Sequence, residues 1–120
     1  MKSLVTSERD YMDMLKLKVD GLSAMINVFS AGKRKMEFDA YIYSMDRIME
    51  YVMEYFEGCD IWEAIDKKYL PSTSIKSYDE LVNWNFKLYE FQHYTTEEKE
   101  EKRNYFDTLL IDLICFDGEE

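Results

Sequence analysis

The chain has 120 residues, enough for one domain, with 25 Asp+Glu against 15 Lys+Arg and a formal net charge of -10. At 47% hydrophobic and 16% aromatic residues it is too rich in core-forming side chains for a disordered polypeptide, and two cysteines are too few for a disulfide scaffold. The negative sign also opposes direct nucleic-acid binding, which needs a cationic surface.

Residues 1–10, MKSLVTSERD, lack the apolar stretch of about 7–15 residues that a secretory signal requires. No apolar run approaches the roughly 20 residues that span a bilayer. The expectation is a cytoplasmic protein with no membrane contact and with both cysteines reduced. Cys115, in the apolar run Leu113-Ile114-Cys115-Phe116, is expected in the core, because free cysteine behaves as a small hydrophobe.

The first predicted helix covers about residues 7–31. Tyr11, Leu15, Val19, Leu22, Ile26 and Phe29 step by threes and fours along one face. Thr6 or Ser7 is suited to cap its start, and Gly32 to end it. A rival pattern exists here: Leu15 to Val19 alternates and Asp20-Gly21 is a good hairpin turn, so a β-hairpin over 15–29 stays open. The second helix, about residues 36–57, is the clearest, with Phe38, Tyr41, Ile42, Met45, Ile48, Met49, Val52, Met53 and Phe56 in one stripe. Gly58 is expected to close it in the left-handed conformation. A short third helix, residues 61–70, follows an Asp60 cap paired with Glu63, and Pro71 stops it.

Ser77-Tyr78-Asp79-Glu80 has the pattern of a capping box and predicts a fourth helix with Leu81, Trp84, Leu88 and Phe91 on its inner face. Alternation of Val82, Trp84, Phe86 and Leu88 leaves a strand at 82–88 as the competitor. Thr95-Thr96-Glu97-Glu98 opens a fifth helix, with Tyr105, Phe106, Leu109, Leu110, Leu113 and Ile114 as its buried face. Neither a repeat nor a long linker divides the sequence. Residues 1–120 are therefore expected to form a single acidic helical domain, an all-α compact bundle of about five helices.

The charge is unevenly spread. Residues 36–66 hold nine carboxylates (Glu37, Asp39, Asp46, Glu50, Glu54, Glu57, Asp60, Glu63 and Asp66) and one base, Arg47, a net of -8. On the second helix Asp39, Asp46, Glu50, Glu54 and Glu57 fall on one flank of the apolar stripe, with Tyr43 among them and Tyr51 and Tyr55 opposite. Like charges one turn apart repel by a few tenths of a kcal/mol per pair, so stability alone would favour a Lys or Arg in the row. A solvated, solubilising face is the plain explanation. The sharper one is a docking surface for a basic partner, because such a row resembles the phosphates of one nucleic-acid strand. Tyr and Trp are frequent interface anchors, which adds Tyr43 and Trp62. The partner-binding set is then Asp39, Tyr43, Asp46, Glu50, Glu54, Glu57, Asp60, Trp62, Glu63 and Asp66.

Familiar catalytic patterns are missing. The one histidine, His93, lies in Glu90-Phe91-Gln92-His93, a single Glu-x-x-His where a di-iron bundle needs two. The sequence carries no Cys-x-x-Cys, no glycine-rich phosphate loop and no metalloprotease motif. The expectation is a non-enzyme without metal or cofactor. Its leading function is a protein-binding inhibitor that offers its acidic helix to the basic groove of a nucleic-acid-handling enzyme. A phage- or mobile-element-encoded antagonist of a host or defence enzyme fits the length and acidity. An immunity protein or antitoxin against a basic toxin would use the same surface. A non-catalytic helical subunit, or a homodimer, is the third reading.

Overall fold

A computed structural model of the chain describes residues 8–32 and 36–116. Its elements are α1 (Glu8–Gly32), α2 (Phe38–Gly58), α3 (Ile61–Asp66), α4 (Ser74–Val82), a 3-10 turn (Leu88–Phe91) and α5 (Thr96–Asp112). The protein is an all-α bundle of five helices, with no strand among the described residues. The expected Thr6 or Ser7 cap and the basic Lys33-Arg34-Lys35 lie outside those residues.

The hairpin alternative at 15–29 fails, and the 3.6-residue period wins. Leu15, Val19, Leu22, Ile26 and Phe29 are all buried on one face of α1. Tyr11, read as part of that face, is exposed. Gly21 lies inside the helix because the Tyr55 hydroxyl of α2 comes within 3.0 Å of where its Cβ would sit. Helix α2 buries Tyr41, Ile42, Met45, Met49, Val52 and Phe56, while Phe38 and Ile48 are half-buried and Met53 is exposed. Gly58 does not close α2 in the left-handed conformation. It is the last helical residue, and Cys59 continues in extended backbone at φ -120°.

The left-handed position is instead Lys68, at φ 67°. Helix α3 is shorter than expected and ends in a reversal around that residue: the Tyr69 N–H donates to the Ala64 carbonyl at 2.8 Å and the Lys68 N–H to Ile65 at 3.0 Å. These are the two bonds of a Schellman ending, with a lysine where glycine is usual. At the other end Asp60 Oδ1 accepts the Glu63 N–H at 3.1 Å, as the sequence suggested.

Helix α4 departs most from expectation. It begins at Ser74 and stops at Val82, so Ser77 is a buried interior residue and not a cap. The Ser72-Thr73-Ser74 stretch ties α4 to the end of α5. Thr73 Oγ1 donates to the Asp112 carbonyl at 2.9 Å and Ser74 Oγ donates to the Leu113 carbonyl, satisfying groups that a helix end leaves open. Beyond Val82 the chain is neither helix nor strand. Trp84 and Phe86 leave it two residues apart and pack edge-on against Phe106 of α5, with ring centroids 5.0 Å and 4.9 Å away. Phe91, from the 3-10 turn, reaches the same ring at 6.1 Å. This aromatic cluster overrides the helical pattern of residues 84–91.

Helix α5 opens with a complete capping box, in which Thr95 Oγ1 accepts from Glu98 N and Glu98 Oε1 from Thr95 N. Phe106, Leu109, Leu110 and Leu113 are buried, Ile114 is half-buried and Tyr105 is exposed. Cys115 is exposed, against expectation, because it follows the helix end and falls off the face that Leu110 and Leu113 define.

Candidate functional site

Two groups make up the acidic region. The first is the flank of α2 carrying Asp39, Tyr43, Asp46, Glu50, Glu54 and Glu57. Because α2 buries Tyr41, Ile42, Met45, Met49, Val52 and Phe56, this flank is turned outward, and the helical rise sets Asp46, Glu50 and Glu54 about 6 Å apart along the axis. Asp39, Glu50, Glu54 and Glu57 are exposed, and Tyr43 is 62% exposed with the Arg47 guanidinium 6.0 Å from its ring centre. Asp39, in the first turn of α2, also complements the positive end of the helix dipole.

Lysines from other elements approach the row: Lys18 of α1 lines a cleft with Glu54, and Lys87 pairs with Asp46. Lys87 Nζ lies 2.9 Å from Asp46 Oδ2, and both side chains are partly exposed. The hydrogen bond to Asp46, then the charge of that carboxylate, holds the lysine above its ordinary pKa, and Glu50 adds to the effect. At the other end Glu57 faces α4. Burial first, and then Glu57 and Asp79, push the Tyr78 phenol up, and the ring of Tyr78 stacks on Phe56 at 4.1 Å.

The second group belongs to α3. Asp60 is occupied in capping, and Glu63 lies 3.9 Å from Lys67 Nζ. Both carboxylates act on Tyr11 of α1, whose phenol is raised by partial desolvation first and by these charges second. Asp60 and Glu63 thus face α1 whereas Glu57 faces α4, so these α3 acids do not simply continue the α2 row. Asp66 is exposed, and Trp62 stands 71% exposed.

Sequence reasoning missed the loop that borders the row. Lys87 joins it to Asp46, and the next two residues, Leu88 and Tyr89, are exposed hydrophobics. The Tyr89 hydroxyl accepts from Asn85 Nδ2 at 3.3 Å. Assigning residues 81–91 to one helix hid this apposition, because it placed Lys87 on a different face from the one it takes.

Elsewhere the chemistry is sparse. Among the described residues, no three His, Cys, Asp or Glu side chains are grouped so as to hold a metal ion. His93 is exposed, in a shallow cleft with Tyr94, Glu98, Glu101 and Lys102. The Cys59 thiol is pushed up by burial, with Lys18 opposing, which disfavours the reactive thiolate. Among the described residues no helix is long and apolar enough to cross a membrane. Compared with known proteins, the chain matches no family model, no curated protein and no solved structure.

Proposed function

We propose that the protein is a stoichiometric, non-catalytic inhibitor that lays the acidic flank of α2 against the basic groove of a nucleic-acid-handling enzyme. The observation that supports this reading is the exposed run Asp39, Glu50, Glu54 and Glu57, with Lys87 paired to the partly shielded Asp46 and Lys18 bordering the cleft beside Glu54. Carboxylates one helical turn apart can meet the lysines and arginines that otherwise contact successive phosphates. Tyr43, Leu88 and Tyr89 supply apolar area beside the charges, as interface anchors do. Charge supplies speed and selectivity of encounter, and the apolar contacts slow dissociation.

Affinity capture from the native host identifies the partner, and competition then tests the reading. DNA or RNA should displace this protein from the captured enzyme. The double reversal Glu50→Lys/Glu54→Lys should weaken binding by at least about a hundredfold at low salt, since it replaces two attractions by two repulsions. Unchanged affinity after reversal would overturn the reading. Capture of a basic toxin that nucleic acid fails to displace would assign the same surface to an immunity protein instead.

A further inference from the structure

Helix α1 carries a second apolar stripe, on the side away from the core. Met14, Leu17, Ala24 and Val28 occupy a and d positions of a heptad repeat, and Gly21, the a position between them, is partly covered by the Tyr55 hydroxyl of α2. Leu17 is 69% exposed, Val28 73% and Met14 51%, whereas the alternate residues Leu15, Val19, Leu22 and Ile26 are buried. The repeat ends toward the N-terminus at Asp10, which occupies the next d position. Toward the C-terminal end the stripe runs into a groove of about 650 Å³ between α1 and α2, where Ile48 and Tyr51 extend the apolar surface. Exposed large hydrophobics aligned on one helix face and continued by an apolar groove mark a contact surface.

The flanks of the stripe identify the occupant, because they are complementary to themselves. Asp13 immediately precedes the a residue Met14, the g position, and Lys18 immediately follows the d residue Leu17, the e position. In a parallel pair, g of one helix faces e of the next heptad on the other, so Asp13 of each copy meets Lys18 of its mate. An antiparallel pair sets g against g and e against e. The g positions are Asp13, Asp20 and Asn27, and the e positions are Tyr11, Lys18 and Met25, so that arrangement brings no acid to a base.

We infer that α1 is a homodimerisation helix: two copies of this chain pack α1 on α1 in parallel across Met14, Leu17, Ala24 and Val28, fixed in register by two Asp13–Lys18 pairs. The carboxylates Asp39, Glu50 and Glu57 occupy the flank of α2 opposite Ile48 and Tyr51, so the dimer leaves these three in solvent on each copy, while Glu54 borders the α1–α2 cleft with Lys18. The inference stands apart from the inhibitor reading, since it concerns another face and needs no partner protein.

Sedimentation equilibrium of the full chain tests it. The wild type should show a concentration-dependent dimer. Leu17→Glu, and separately Val28→Glu, should raise the dissociation constant by about a hundredfold or more while leaving the far-ultraviolet circular dichroism unchanged. Asp13→Lys and Lys18→Glu should each weaken the dimer by about tenfold, and the double exchange Asp13→Lys/Lys18→Glu should restore it. A wild type that stays monomeric at its solubility limit overturns the inference, as does a dimer indifferent to both Leu17→Glu and Val28→Glu. A dimer that these substitutions abolish but the double exchange fails to restore overturns the parallel pairing.

Discussion

Glu57→Lys should make the isolated protein more stable by about 1 kcal/mol. Glu57 is exposed in the last turn of α2, which contains no base. A carboxylate there opposes the negative end of the helix dipole and a lysine complements it; each effect is worth about 0.3–1 kcal/mol at low ionic strength. Glu54, three residues earlier, changes from a repelling to an attracting neighbour, a swing of about 0.5 kcal/mol. Taking the lower values for an exposed site, the terms add to about 1 kcal/mol, or about 4 °C in Tm for a domain of this size. Urea and thermal unfolding in low salt would measure it. The gain should shrink toward zero near 1 M salt, where surface charges are screened within about 3 Å. A variant no more stable than the wild type would refute the reasoning that the row is maintained against stability, and with it the main argument for a functional role.

Three further outcomes are expected. Met49→Asp should abolish cooperative unfolding, because it puts a carboxylate among the buried residues of α2 without a partner; a variant that retained the native circular dichroism and melted within a few degrees of wild type would contradict the packing described. Lys68→Gly should stabilise by about 0.5 kcal/mol, the relief of a left-handed lysine less the extra chain entropy of glycine, while Lys68→Ala should show no gain in the same denaturation assay. Alkaline titration should find Tyr41 the last of the ten tyrosines to ionise. Burial first, then Asp107, holds its phenol far above the ordinary value against the opposing pull of Arg103, and its hydroxyl donates to the Arg103 carbonyl at 3.2 Å. The protonated form is the one that folding favours. Its contribution is therefore complete below the unfolded pKa of about 10 and is lost as pH rises beyond it. Ionisation of all ten tyrosines before any loss of helix would refute this.

The helices were legible where their period was long and uninterrupted. Over α1 and α2 the buried apolar positions, Leu15 to Phe29 and Tyr41 to Phe56, repeat for about four turns each, and tertiary packing agrees with them. The capping box of Thr95 and Glu98 was legible because both partners are local. Residues 74–91 were not, because their structure depends on distant groups: Ser74 is placed by the Leu113 carbonyl, and Trp84 and Phe86 by the ring of Phe106. The Lys68 reversal also escaped notice, since glycine is the usual signal for that backbone and Gly58 drew attention instead. Of the acidic site, the α2 row could be read from spacing alone. The neutralisation of Asp46 by Lys87, and the diversion of Asp60 and Glu63 to capping and to α1, arise from contacts that linear order does not express.

Carboxyl footprinting of the complex with the captured partner, read by mass spectrometry, addresses the central claim most directly. Protection of Asp39, Glu50, Glu54 and Glu57 on binding, with Glu97 and Glu101 of α5 still labelled, is the predicted pattern. Full labelling of the α2 carboxylates in a saturated complex, with protection confined to another face, would contradict it.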